Sequence, residues 1–243
     1  MTIKHWTTDQ LLLMSIIGTL LFGCMNSTPA TMDAPIFSSS PEQIDKSPFT
    51  GTPCAPPCWH GLEVGKSSEA EVISVLSTLT FINQDSIQIF RRPSMPDYYV
   101  KDFGPGIEIN ANCINPGTEC LVMTTSNDVL QKIIVRLNYE IKPDQVIEYL
   151  GDPDIIGVAP IGGETFVCEV YLIWKNSRLV LASTLRADKD LDGVEKYCNI
   201  VRKTAKVPSS LLITEVRYLS DAELRSLLLS TNNFFEFSGT IPE

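Results

Sequence analysis

The cysteines of this chain constrain its fold more than any other feature of the sequence. Seven of the 243 residues are cysteines, whereas only two are histidines. Thiols at this density are usually consumed by oxidation outside the cytoplasm. The composition therefore predicts an exported protein whose fold is cross-linked by disulfides, and it does not favour a cytosolic enzyme.

Six of the cysteines follow residue 24, and two spacings among them suggest bridges. Cys113 and Cys120 flank Asn115-Pro116-Gly117, a turn sequence that brings neighbouring strands together. Cys54 and Cys58 lie close enough in the chain to close a small ring at the start of the folded domain. The last two cysteines would then join a strand to the long loop after it. The expected disulfides are Cys54–Cys58, Cys113–Cys120 and Cys168–Cys198.

The segment around Cys54 and Cys58 also allows two other kinds of site. With His60 nearby, these two cysteines could form part of a zinc site. They could also exchange disulfides, although the spacing and the intervening prolines disfavour this chemistry. An oxidising compartment argues against free thiolates, so a structural disulfide is the first hypothesis. Trp59 is expected to pack in the core and not to serve as an exposed binding aromatic.

The first residues of the chain have the pattern of an export signal. Leu11 to Gly23 is an apolar run, and it is shorter than the roughly 20 residues that cross a bilayer. Leu21-Phe22-Gly23-Cys24 resembles the bacterial lipobox. The resemblance implies cleavage before Cys24 and a lipid on its sulfur. An uncleaved short anchor and an ordinary secretory signal are the alternatives.

These observations predict a lipid-anchored protein of the bacterial cell envelope. Residues 1–23 are then the signal peptide, and residues 24–52 are the lipidated cysteine with a Ser/Thr/Pro-rich tether on the extracytoplasmic face of a membrane. The formal charge of −10 opposes contact with a phosphate backbone, so nucleic acid is not expected as a partner.

The folded part alternates helical and strand-like patterns, and it does so twice. Ser68 and Glu71 have capping-box spacing before an apolar helix face, and Pro143 and Gly151 bound a second helix. A third helix is expected from Ser220. The expected strands are Ser86–Phe90, Leu121–Thr124, Val129–Tyr139, Cys168–Trp174, Leu179–Ser183 and Ile213–Leu219. The pattern predicts a two-layer α+β fold, a tandem repeat of short helix plus antiparallel sheet over residues 53–139 and 140–243.

One stretch of the second repeat carries a family resemblance. Val146-Ile147-Glu148-Tyr149-Leu150-Gly151-Asp152-Pro153, followed by a hairpin that bears Tyr and Trp, is similar to small bacterial lipoproteins of the BamE/SmpA type. It is also similar to the tandem-repeat fold of the β-lactamase-inhibitor proteins. Residues 53–62 resemble a motif of uncharacterised exported lipoproteins. These resemblances imply short helices on a curved antiparallel sheet that contacts other proteins.

An acidic segment suggests a cation site. Asp188, Asp190 and Asp192 alternate before Gly193, as in the first half of a calcium-binding loop. The twelfth position, where such a loop carries a bidentate glutamate, is Asn199. Calcium at these three aspartates and a solvated acidic loop are both open; no other cofactor is expected.

The sequence contains no recognisable catalytic motif, such as a nucleophile elbow, a zinc-protease helix or a phosphate-binding loop. The first hypothesis is therefore a non-catalytic module that binds an envelope protein or an extracellular ligand. The alternatives are an extracytoplasmic hydrolase that uses paired carboxylates and a calcium-stabilised structural module.

Overall fold

A computed structural model describes Asp45 and residues 47–93, 104–114, 117–161, 167–186, 191–230 and 234–241. The signal peptide, the lipobox with Cys24 and most of the tether lie outside the described residues. Within the described ranges, no helix is long and apolar enough to cross a membrane.

The first half of the described chain contains two short helices, a small hairpin and four longer strands. A 3₁₀ turn over Gln84–Ser86 precedes the first of these strands. The elements are α1 (Ser47–Thr50), β1 (Cys58–Trp59), β2 (Leu62–Glu63), α2 (Glu69–Leu76), β3 (Gln88–Arg92), β4 (Gly106–Asn112), β5 (Glu119–Ser126) and β6 (Val129–Arg136).

The second half starts with a helix and again contains four main strands. A helix that the sequence patterns did not predict, α4, is inserted before the fourth of them. The elements are α3 (Pro143–Leu150), β7 (Ile155–Ile161), β8 (Val167–Trp174), β9 (Leu179–Arg186), α4 (Leu191–Thr204), β10 (Val207–Pro208), β11 (Glu215–Leu219), α5 (Asp221–Ser230), β12 (Phe234–Glu236) and β13 (Thr240–Ile241).

Nine of these strands form one antiparallel sheet. Their order is β12-β7-β8-β9-β11-β6-β5-β4-β3. The halves meet where β11 pairs with β6, with Val216 opposite Val135. The α+β class is therefore confirmed, and the two halves share one continuous sheet instead of forming separate lobes.

Local sequence signals explain where the helices begin and end. Ser68 and Glu71 form the complete capping box expected for α2, and Val72 and Leu76 on its apolar face are buried. Gly151 ends α3 with a φ of 77°, a conformation that glycine adopts without steric cost. These helix ends follow from a few neighbouring residues.

The sheet buries apolar side chains on both of its faces. Successive residues of a strand point to opposite faces. Val170 and Leu172 of β8 belong to the larger core cluster, which also contains residues of α2, α3 and α4. Tyr171 and Ile173 belong to a smaller cluster with Leu224 of α5. Because α5 packs on this second face, the expected two-layer arrangement does not account for all described helices.

Candidate functional site

The three disulfides form in the pairing expected from the spacing. Cys113 and Cys120 join β4 to β5 with their Cα atoms 5.5 Å apart. Cys54 and Cys58 close the small ring before β1. Cys168–Cys198 joins β8 to α4 across 6.2 Å between Cα atoms, so the second partner lies in a helix and not in the loop that we expected. Six half-buried or buried sulfurs are thus engaged in bridges.

The zinc hypothesis at Cys54, Cys58 and His60 is not supported by this geometry. Zinc is held by thiolates, and both sulfurs here are joined to each other. Among the described residues, no group of three or more His, Cys, Asp or Glu side chains could hold a metal ion.

Two of the three aspartates of the possible calcium loop, Asp188 and Asp190, lie outside the described residues. The third, Asp192, lies in α4 together with Gly193. A calcium loop needs a turn at its glycine, whereas the backbone here is helical. Calcium binding stays a prediction, and a melting temperature measured with calcium and with a chelator would test it.

A buried carboxylate connects the N-terminal segment to the β1–β2 hairpin. Asp45 is only 6% exposed, and its Oδ2 accepts a hydrogen bond of 2.6 Å from Trp59 Nε1. Its Oδ1 lies 3.1 Å from His60 Nε2 and accepts a bond of 2.9 Å from the Ser47 amide. Tyr139 Oη donates to the backbone carbonyl of Asp45 at 2.9 Å. We call this set, Asp45, Ser47, Trp59, His60 and Tyr139, the N-terminal clamp.

The geometry of the hairpin presents two side chains to this carboxylate. His60 and Gly61 connect β1 to β2 and have φ values of 48° and 86°. Two positive φ values are what a two-residue type I′ hairpin requires. Trp59 is fully buried, so the expectation of core packing is correct. Burial raises the pKa of Tyr139 well above its usual value, and the nearby charge of Asp45 acts in the same direction.

The clamp shortens the predicted tether. Residues 24–52 were expected to be flexible, yet Asp45 is buried and Phe49 of α1 is 1% exposed. Phe49 packs edge-on against Tyr139, with ring centroids 6.5 Å apart. The folded domain therefore includes residues before Pro53.

The second sheet face carries a line of charged residues that crosses several strands. Arg217 of β11 pairs with Glu215 on its own strand, and its Nη2 lies 3.8 Å from an oxygen of Glu169 on β8. Arg136 of β6 pairs with Glu119 of β5 and lies 3.6 Å from the other oxygen of Glu215. We call these five residues the ionic row.

A buried tyrosine is attached to one end of the ionic row. Tyr171 donates its hydroxyl hydrogen bond to Glu169, and the guanidinium of Arg217 lies 5.3 Å above its ring centroid. Burial raises the pKa of Tyr171 to about 12, and the bond to Glu169 also raises it. Burial acts to lower the pKa of Arg217, but Glu215, Tyr171 and Glu169 together raise it above its usual value.

The exposure of the ionic row changes along its length. The side chains of Glu215 and Arg217 are 13% and 18% exposed, whereas those of Arg136 and Glu119 are 47% and 38% exposed. One end of the row is thus largely buried, and the other end is open to solvent.

The ionic row does not have the arrangement that hydrolysis by paired carboxylates requires. Hydrolysis by paired carboxylates needs one carboxyl to hold a proton and the other to be free for a nucleophile or base role. Each carboxylate of the row is instead engaged by a guanidinium, which keeps its charge at any physiological pH. Tyr171 also keeps its proton at physiological pH, because its pKa is raised to about 12.

Three surface clefts have no paired carboxylates among their described lining residues. In a cleft of about 500 Å³ next to β3 the one acidic residue among these is Glu69, and in a cleft of about 450 Å³ on α4 it is Glu195. A third cleft, of about 400 Å³, contains Asn83 and Gln84 but no carboxylate. These clefts do not supply the arrangement that the hydrolase hypothesis requires.

Sequence reasoning missed both the N-terminal clamp and the ionic row. A weak signal was present for the row, because Glu215 and Arg217 alternate on one strand, as do Glu169 and Tyr171. Charged residues at this period mark a half-exposed sheet face. No local signal marked the contacts of Asp45 with Trp59 and Tyr139, which lie 14 and 94 residues further along the chain.

No family model matches the chain, and searches against curated proteins and against solved structures find no match. The similarity to BamE/SmpA-type lipoproteins therefore stays an expectation from the sequence motif.

Proposed function

We propose that this protein is a non-catalytic, lipid-anchored binding module of the bacterial cell envelope. The observation that carries the proposal is the ionic row, which ends in the half-exposed side chains of Arg136 and Glu119 on an ordered sheet face. A rigid sheet holds such groups at fixed positions, which lowers the entropic cost of binding a partner. The disulfides support an extracytoplasmic location.

Charge indicates the kind of partner. The row has three carboxylates, Glu119, Glu169 and Glu215, and two guanidiniums, so one negative charge is left over. The whole chain has a formal charge of −10. Long-range attraction therefore favours a protein surface that presents lysine or arginine side chains.

The anchor side of the proposal is Cys24 with its lipid. Since Asp45 is clamped, we propose that the tether runs from Cys24 to residue 44 and not to residue 52. A flexible segment of this length has a root-mean-square reach of roughly 25 Å, which lets the domain stand clear of lipid headgroups. A lipid with more than one acyl chain holds a protein stably on a membrane.

The tandem-repeat architecture is also part of the proposal. Support comes from the order of elements, since α2 precedes β3–β6 and α3 precedes β7, β8, β9 and β11. In both halves the fourth strand lies at the centre of the sheet.

Photocrosslinking in the native host tests the proposal. Lys132 lies on the same face of β6 as Arg136, so a photoreactive residue at position 132 should crosslink to a specific envelope protein. The same residue in place of the exposed Lys196 on α4 is the matched control. Two results together would reverse the proposal. The crosslink yield at position 132 would be no higher than at position 196, and the chain would hydrolyse a substrate.

A pair of charge reversals sharpens this test. Glu119→Lys should weaken the crosslink at position 132 and make its remaining yield less dependent on salt. Glu195→Lys changes the charge of the chain equally at an exposed position of α4, and it should leave the crosslink unchanged.

A further inference from the structure

Strand β3 forms one end of the nine-stranded sheet. Among the described residues it pairs only with β4, from Gln88 opposite Asn110 to Arg92 opposite Gly106. The other end of the sheet is β12, which has only three residues, and its Phe234 and Phe235 are half-buried. The two edges of the sheet therefore differ in length and in exposure.

The hydrogen bonds of β4 show which backbone groups of β3 point away from the sheet. The amide of Ile107 donates to Thr125 Oγ1 of β5 at 2.9 Å, so odd-numbered residues of β4 face β5. Even-numbered residues of β4 must then face β3, because directions alternate along an antiparallel strand. Phe90, opposite Glu108, bonds within the sheet. Ile89 and Arg91 therefore direct their N–H and C=O groups outward.

The side chains of β3 are unusually exposed for apolar residues of a sheet. Ile89 is 45% exposed and Phe90 is 48% exposed, and they lie on opposite faces of the strand. Soluble proteins usually protect a long edge strand because it can pair with another chain. Exposed apolar residues on such an edge mark a site for another strand.

The charge of β3 indicates what that strand carries. The sequence Gln-Ile-Phe-Arg-Arg has two positive charges and no negative one. Arg91 Nη1 lies 3.4 Å from Glu69 Oε1 of α2, but the Arg91 side chain is 80% exposed, so its five N–H donors can also contact a second carboxylate. The charges of β3 itself decide which strand can pair with it, because directly opposite residues of paired strands lie only about 4.5–5.5 Å apart. A second copy would bring the same two arginines to this edge, so like charges would meet there. A carboxylate on the Arg91 face avoids this conflict.

We propose that β3 binds an extended segment of a different protein by strand addition, a segment that alternates acidic with apolar residues. The acidic residues lie on the face of Ile89 and Arg91, and the apolar residues cover Phe90. The backbone groups of Ile89 and Arg91 supply the hydrogen bonds. This surface is separate from the ionic row, so it goes beyond the binding site in the proposed function.

Amide hydrogen exchange on the full-length chain in detergent tests the proposal. The probe is an acetylated octapeptide that alternates glutamate with valine. In the free chain, the amides of Ile89 and Arg91 should exchange rapidly and that of Phe90 slowly. The peptide should slow exchange at Ile89 and Arg91 and leave Phe90 unchanged. Two N-methylated peptides serve as controls, one methylated on its valines and the other on its glutamates. One of the two should no longer slow exchange, because only one of these sets of residues directs its N–H groups to the edge.

Charge controls define the partner. The octapeptide with lysine in place of glutamate should bind about tenfold more weakly. Arg91→Glu should bind the lysine peptide more tightly than the glutamate peptide. If that variant does not fold, Arg91→Gln replaces it and should bind both peptides equally. Arg225→Glu, at an exposed position of α5, is the matched control and should keep the preference.

Several results would overturn the inference. Slow exchange at Ile89 and Arg91 in the free chain would show that the edge is already paired. If the slow rate does not depend on protein concentration, the pairing strand belongs to this chain; if it does, the strand belongs to a second copy. Binding of the peptide without a change at these two amides would place its site elsewhere. Equal binding of the lysine and glutamate peptides would show that the partner strand is not selected for acidic residues.

Discussion

The indole nitrogen of Trp59 donates a hydrogen bond of 2.6 Å to the carboxylate of Asp45, and both side chains are buried. A carboxylate at this depth must be fully hydrogen-bonded to be tolerated. Trp59, His60 and the Ser47 amide meet this requirement together. The relationship fixes Asp45, just before α1, on the β1–β2 hairpin.

Trp59→Phe should therefore destabilise the protein by about 1–3 kcal/mol, because it removes one donor to a buried carboxylate. Urea unfolding of the full-length chain measures this free energy. Trp174→Phe is the control, since Trp174 Nε1 donates to the neutral Gly151 carbonyl at 3.1 Å. We expect a smaller loss for that variant. Equal losses would mean that the charge of Asp45 contributes nothing.

The ionic row should show a gradient of stability effects. Arg217→Ala removes a cation that two carboxylates share, and its side chain is only 18% exposed, so we expect a loss of about 2 kcal/mol. Arg136→Ala acts at the half-exposed end and should cost less than about 1 kcal/mol. Thermal unfolding of the two variants gives the comparison. A larger effect at Arg136 would contradict the burial order of the row.

High pH should weaken the fold through Tyr171. Burial raises its pKa to about 12, so the unfolded chain loses this proton at a lower pH than the folded chain does. The stabilisation is complete below the ordinary tyrosine pKa and is lost as pH rises towards about 12. Tyr171→Phe should flatten this part of the curve of unfolding free energy against pH. Tyr139 and Tyr218, whose pKa values are also raised by burial, remain in both proteins.

Non-reducing peptide mapping of the purified chain should find the three disulfides seen here and no free thiol among their six cysteines. Replacing Cys113 and Cys120 together by serine should cost about 2.5 kcal/mol by loop entropy. The same change at Cys168 and Cys198, which close a longer loop, should cost about 3.5 kcal/mol. A reversed order of the two pairs would show that chain entropy is not the main contribution.

Cys24→Ala should release the protein from the membrane fraction, because the alanine variant has no sulfur to carry a lipid. Metabolic labelling with radioactive palmitate should mark the wild-type chain and not this variant. Ser27→Ala, a change of similar size in the tether, should stay in the membrane fraction and keep the label. Recovery of the wild-type protein from the cytosol without lipid would refute the anchor.

Sequence by itself determined the features that depend on neighbouring residues. The capping box of Ser68 and Glu71 starts α2, and Gly151 ends α3, because both signals satisfy backbone groups within one turn. Alternation placed Ile133 and Val135 on the buried face of β6. The sequence patterns missed α4, whose polar residues and internal glycine resemble a loop.

Only the tertiary structure decided how the halves combine and where functional groups meet. Pairing of β6 with β11 depends on register between strands about 80 residues apart, and no local pattern specifies that partner. Asp45 meets Tyr139, 94 residues later. The ionic row likewise joins Glu119 to Arg217 through strands that become neighbours only in the folded sheet. Such long-range contacts come from burial and strand pairing, which act on the whole chain at once.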